Sequence, residues 1–250
     1  MAAGGAIGFG GRTGLGGQTG YGGSGGRGSL ATGGRIGSGG DGAGTIGTGG
    51  LGPGGVSGAA GNTVNFVNGR AEGAMTGNGW VSLGELDTVS DPTCAGAQVT
   101  SSSPCSTFEW PSNTGLCASG KVPALPASPK PSDNSANWGV LIGADATYPA
   151  GGGLGRSFQT ITLNFSGNPQ TGIRAALHRK GDPDATNYCA TVKSGSPVAF
   201  AAFNTQCWDG TGVNLSAADL ANLDWIGIQV PSASSAIAIT NLCLTGITFK

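Results

Sequence analysis

His178 is the only histidine in this 250-residue chain, and Arg174 stands four residues before it in a run whose alternate positions, Ile173, Ala175 and Leu177, are apolar. Side chains of an extended strand alternate between two faces, so burying the apolar set turns Arg174 and His178 together toward the opposite surface. Gln229, between Ile228 and Val230, and Tyr188, beside Cys189, are expected to project onto that same side. A guanidinium, an imidazole, a carboxamide and a phenol offer hydrogen bonds to a rim of hydroxyls, and aromatic rings offer a flat surface to the C–H face of a sugar. Trp225 shares its parity with Gly227 and Gln229 and is expected on the candidate face, while Trp208 and Trp110, near turns, are candidate loop-borne stacking residues. Trp138, in phase with Val140 and Ile142, is expected in the core. The plainer alternative pairs Arg174 with a nearby aspartate and leaves His178 satisfied on the surface.

Other chemistries find less support. Asp182 and Asp184, in the turn RKGDPD over 179–184, carry the hard oxygens of a calcium site, but two carboxylates fall short of the six to eight ligands calcium takes. A structural calcium is therefore a secondary expectation, and no other cofactor is called for. The six cysteines lack any CxxC spacing and have one histidine to share a metal with, which argues against zinc. A glycosidase needs two carboxyl groups held across the scissile bond, yet the glutamates are only Glu72, Glu85 and Glu109, and the aspartates fall mostly in turns. No GxSxG elbow or triad constellation is present, so no catalytic residue is assigned.

The elements that must hold these residues read as strands. Short runs bounded by turn residues lie at 64–67, 79–83, 138–142, 158–165, 173–179, 188–192, 198–203, 225–230 and 236–249. Ile161, Leu163 and Phe165 share one face, as do Ile226, Ile228 and Val230, and each such face needs a second sheet to cover it. The one helix-like stretch is 216–223, where Ser216 and Asp219 make a loose capping box. The predicted fold class is all-β, a two-sheet antiparallel β-sandwich of the jelly-roll kind over 62–250, preceded by a glycine-rich linker over 1–61.

That leader holds more than half of the chain's 51 glycines, in an imperfect GGxxGx repeat that lacks the Gly-X-Y period of collagen. Ordering such a backbone costs about 1–2 kcal/mol per residue with few side chains to offset it, so a flexible spacer is expected. All six cysteines and all five tryptophans follow it. Loop lengths and local polarity suggest the pairs Cys94–Cys105, Cys117–Cys243 and Cys189–Cys207, one of the fifteen sets available to six cysteines. Disulfides point to a secreted, extracellular protein, and since residues 1–25 contain no apolar h-region, a signal peptide is expected further upstream. A net charge of −1 with 10% charged residues gives no basic field for nucleic acid, and no apolar run reaches membrane-span length. The expected partner is a polysaccharide or other glycan, met by a monomeric module of a larger polypeptide.

One stretch is more specific. Gly172-Ile173-Arg174-Ala175 runs into Lys180-Gly181-Asp182, then come Phe203, CWDG over 207–210, LSAADL over 215–220 and LDWIGIQV over 223–230. This order resembles the galactose-binding-like jelly rolls, which include many carbohydrate-binding modules and the complex I intermediate-associated domains. The domain also looks like C-terminal modules that glycine-rich linkers attach to secreted myxobacterial proteins. The resemblance covers about 80 residues and departs from the commoner cysteine-free modules at Cys189 and Cys207. It implies non-catalytic glycan binding; the alternatives are a structural or adhesive surface module and an uncharacterised secreted hydrolase.

Overall fold

Asn68 and Gly69 both take positive φ (48° and 74°), the backbone of a two-residue type I′ turn, and they fold the strands on either side into the first hairpin of the domain. A computed structural model describes residues 35–37, 61–90, 98–99, 110–148, 154, 158–183 and 185–250. Its strands, in chain order, are β1 (Arg35–Gly37), β2 (Thr63–Val67), β3 (Arg70–Gly73), β4 (Gly77–Leu83), β5 (Thr88–Ser90), β6 (Gln98–Val99) and β7 (Leu116–Val122). After a six-residue helix, α1 (Pro131–Ala136), follow β8 (Gly139–Asp145), β9 (Thr160–Asn168), β10 (Arg174–Arg179), β11 (Tyr188–Thr191), β12 (Pro197–Ala199), β13 (Leu223–Pro231) and β14 (Ile237–Phe249).

The fold is all-β and its strand pairs are antiparallel. One ladder runs β11-β10-β13-β8-β4, with β1 on the far side of β4; a second is centred on β14, which bonds β9 along one edge and β7 and β2 along the other. The two are joined where β3 meets β4, through Arg70 opposite Asn78 and Ala71 opposite Gly77, so the hydrogen bonding is continuous around this corner. Ile142, Leu177, Ile226 and Ile228 of the first ladder and Ile161, Leu163, Leu244 and Ile247 of the second belong to one apolar cluster. Both ladders thus turn their apolar parity to a common, sandwich-like core, and each large side chain buried there contributes roughly 1.5–3 kcal/mol.

Two disulfides pin this arrangement. Cys117 on β7 lies directly opposite Cys243 on β14, and their bond closes a separation of 126 residues; Cys189 on β11 is bonded to Cys207. Both pairings agree with the sequence expectation, and Cys94 and Cys105 lie outside the described residues. Closing a loop that long removes unfolded-state entropy worth about 4–5 kcal/mol in the chain-entropy model.

The single expected helix is different in form and not alone. Over 216–223 the chain makes a 3-10 turn at Asp219–Asn222, with the Asp219 carboxylate accepting from the Ser216 amide (2.8 Å) and hydroxyl (2.7 Å). The α-helix is instead α1, a polar stretch whose Asp133 accepts from the Lys130 amide at 2.8 Å. Trp138 also departs from expectation. Gly139 has φ +109°, and a Cβ there would lie 2.0 Å from the Val230 carbonyl oxygen. The alternation therefore restarts at Gly139, and Trp138 packs on the outer side of the first ladder rather than in the core.

Asp87 ties the turn after β4 to the start of β8. Its Oδ2 accepts from the Gly139 amide at 3.1 Å, while Gly84 N donates to Gly139 O (3.0 Å) and Glu85 N to Ala136 O (2.7 Å). The carboxyl is fully buried, and Oδ1 has no hydrogen-bond partner among the described residues. Burial pushes its pKa up to about 6, against the lowering effect of the Gly139 and Gly84 amides. Because the folded protein then holds this proton more tightly than the unfolded chain, the contribution is fully present below pH 4 and is lost as pH rises through 6. Asp87→Asn is expected to remove a pH dependence on the order of 1–2 kcal/mol between pH 4 and 6.5, read as the difference in Tm between variant and parent across that window. A difference that stays constant across the window would show that Asp87 does not titrate there.

Candidate ligand-binding face

Three strands set the face that the sequence singles out. In the register of β10 against β13, Arg174 lies opposite Gln229, Ala176 opposite Gly227 and His178 opposite Trp225. β8 continues the same rows with Leu141 beside Gln229, Gly143 beside Gly227 and Asp145 beside Trp225, and β4 adds Ser82 and Trp80. On the other flank, Thr191 and Cys189 of β11 stand opposite Arg174 and Ala176. Antiparallel partners share a face. Arg174, His178, Gln229 and Trp225 therefore occupy one outer surface of the first ladder, as their parity implies.

The two ends of this surface differ. At one end the His178 and Trp225 rings stack with centroids 5.5 Å apart and planes 3° from parallel, and Trp80 meets Trp225 edge-on at 5.3 Å. Glycine makes room for this: a Cβ on Gly143 would fall 2.8 Å from the Trp80 ring. Leu141, Ala176 and Trp138 complete the cluster. Trp80 Nε1–H donates to Asp145 Oδ1 at 3.0 Å, and the Asp224 carboxylate accepts from His178 Nδ1 at 2.6 Å, with His178 Nε2 3.4 Å from the Pro183 carbonyl oxygen. Asp224 reaches His178 through a local irregularity in the ladder, since Arg179 pairs with Leu223 while His178 pairs with Trp225. The extra residue re-aims the carboxylate, as β-bulges commonly do.

His178 and Trp225 are only 3% and 4% exposed, which corrects their expected role as open contact residues. They are the packed interior of a second, smaller cluster. Tyr188 is corrected more simply: it pairs with Leu177, so it shares the inward parity and is buried in the main core.

The other end of the face is open on its β10 and β11 side, whereas Leu141 and Ser82 in the same row are buried. Arg174 is half-buried, Thr191 exposed, and Gln229 is positioned by donating its amide to the Trp138 carbonyl oxygen at 3.0 Å. Arg174 has no hydrogen-bond or ion-pair partner among the described residues, and none of the described aspartates pairs with it. Desolvation lowers its pKa from the ordinary arginine value. Arg179, on the same strand, is the opposite case. It donates to Asp182 through Nε (3.0 Å) and Nη2 (2.6 Å) and to Asp219 through Nη1 (2.7 Å), and these bonds, Asp182 first, raise its pKa.

That fork commits both oxygens of Asp182 to a guanidinium, which removes it from the expected calcium shell. Asp184 lies outside the described residues, and no group of three or more potential metal ligands occurs among those that are described.

Trp208 stands at the rim. Cys189 carries the anchor for its loop through the bond to Cys207, and Cys189 exchanges backbone hydrogen bonds with Asn204 at 2.9 and 3.1 Å. The loop is held from within: Asn204 Nδ2 donates to Gly212 O (2.9 Å) and Asn214 Oδ1 (2.5 Å), Gln206 N to Asn204 Oδ1 (2.7 Å), and Thr205 and Val213 are bonded in both directions. Thr211 bonds Asp209 through N (2.9 Å) and Oγ1 (2.8 Å), which lowers the Asp209 pKa. On this scaffold the Trp208 side chain is 63% exposed and Val213 68%. Trp110 is elsewhere, laid over the β2–β3 turn, where a Cβ on Gly69 would collide with its ring at 2.1 Å.

Sequence reasoning did not single out Asp224, Asp145 or Trp80. The Asp-Trp pair at 224–225 was a visible signal, but only the ladder irregularity brings Asp224 to His178. His178→Ala is expected to cost about 2–3 kcal/mol of stability and to weaken the near-ultraviolet circular dichroism of the coupled tryptophans, because it leaves Asp224 unpaired and a void against Trp225. A variant with unchanged denaturation midpoint would show that the cluster does not support the sheet. Comparison of the chain with protein-family models, with curated proteins and with solved structures finds no match in any of the three.

Proposed function

We propose that the domain binds a glycan without cleaving it, through the loop edge that carries Trp208 and the open end of the adjoining sheet face, as a jelly-roll module of a secreted protein. The observation that carries this reading is the exposed Trp208 indole on a loop closed by a disulfide and an internal hydrogen-bond network. A large apolar ring held out to water normally costs free energy, and a loop already ordered loses little entropy when a ligand stacks on it. Sugars suit such a ring because their C–H faces stack on aromatic surfaces while hydroxyls reach nearby amides and carboxylates. Gln206, Asp209 and Thr211 supply those groups in the same loop. The two disulfides fit an oxidising, extracellular setting. No helix among the described residues is long and apolar enough to cross a membrane.

A second reading is favoured by the neighbouring exposed Val213: an adhesive contact with protein, for which a Trp and Val pair on one loop also serves. Affinity-gel retardation on cellulose, xylan, mannan, β-glucan and polygalacturonate separates the two. Trp208→Ala is expected to lose roughly tenfold in affinity for the retained polysaccharide, the worth of one stacked aromatic, with its thermal midpoint unchanged. Folded protein that none of these gels retards would reject the glycan reading.

A further inference from the structure

The outer face of the first ladder carries an uncompensated cation. Arg174 projects between Gln229 and Thr191, its direct cross-strand neighbours, and none of the described residues pairs with it. The carboxylates of the same face are engaged elsewhere: Asp224 with His178 and Asp145 with Trp80. His178 is four residues along β10 from Arg174, roughly 13 Å at strand rise, so these acids lie too far away to compensate it directly. A half-buried guanidinium has lost part of its hydration and gains no partner among the described residues in return, a cost that a folded protein bears when a ligand supplies the counter-charge.

The neighbours narrow the ligand. Gln229, fixed through its amide nitrogen to Trp138 O, keeps Oε1 to accept a hydroxyl, and Thr191 offers a hydroxyl on the other side. The planar guanidinium fork matches a carboxylate bidentately. The loop that carries Trp208 is anchored on the strand next to Arg174. Cys189, which anchors Cys207, is the diagonal neighbour of Arg174 across β10 and β11, about 7–8 Å away. We propose that Arg174, flanked by Gln229 and Thr191, takes the carboxylate of an acidic sugar, so that the glycan class is a uronate-containing polysaccharide. This rests on the glycan reading above and adds the charge of the ligand to it.

The test compares polygalacturonate with its methyl ester, which keeps the backbone and masks the charge. The parent protein is expected to bind the free acid roughly tenfold more tightly than the ester. Arg174→Gln should abolish that difference, and Trp208→Ala should weaken binding of both. Equal affinity for acid and ester overturns the proposal and leaves the glycan reading standing, as does a preference that survives in Arg174→Gln. A second measurement does not depend on polymer binding: the Nε–Hε resonance of Arg174, assigned by its loss in Arg174→Gln, is followed during titration with glucuronate, glucose and acetate. A shift with glucuronate that neither glucose nor acetate reproduces supports the proposal. No shift with glucuronate, or an equal shift with acetate, overturns it.

Discussion

The register of β10 against β13 is the constraint from which the rest follows. Once Ala175, Leu177, Ile226 and Ile228 are committed to the shared core, the period of two in an extended strand leaves no choice for the residues between them. Arg174 must face Gln229, and His178 must face Trp225, on the outside of the ladder. A slip of one residue would put the guanidinium and the imidazole into the core and the aliphatics into water, an exchange costing many kilocalories. The hydrophobic effect therefore positions the polar face without any interaction specific to that face.

Two different solutions then coexist on one surface. Around His178 and Trp225, glycines at 143 and 227 lower the floor of the sheet, and rings fill the space with their polar atoms tied to Asp145 and Asp224. That end behaves as a core, since its polar groups are partnered and its rings are out of reach. Around Arg174 none of the described residues pairs with the cation. The proposed recognition uses this second end and the adjoining loop, where the Cys189–Cys207 bond gives the exposed Trp208 a fixed base.

Charge is scarce in this chain, which makes its disposition easier to follow. Arg179 draws Asp182 and Asp219 into one network and so fastens the turn after β10 to the 3-10 turn before β13. Asp87 is buried where it braces β4 against β8, at the cost of holding a carboxyl in an unfavourable place. Both arrangements are structural, linking consecutive elements of the first ladder. Among the described residues Arg174 pairs with none, which distinguishes it from Arg179 on the same strand.

Several elements were legible from the residues alone, because apolar residues recur at every second position through β9, β10 and β13 and, with two changes of phase, in β14. β3 and β7 were not, since RAEG and LCASGKV carry little β propensity and owe their pairing to partners distant in sequence. The Asn68-Gly69 turn was a readable hairpin signal for β3, whereas β7 had none beyond the cysteine that meets Cys243. The common face of Arg174, His178, Gln229 and Trp225 was likewise fixed by local parity. Exposure was not, because whether an outward residue meets water depends on what the rest of the chain lays over it. His178 and Trp225 were covered, Tyr188 took its side from its pairing with Leu177, and Asp224 was brought in by an irregularity no local pattern records. Sequence by itself thus determined which residues within a strand share a side, since alternation is a property of the extended backbone; the tertiary structure alone decided which of them stay exposed, since burial is a property of the whole packed molecule.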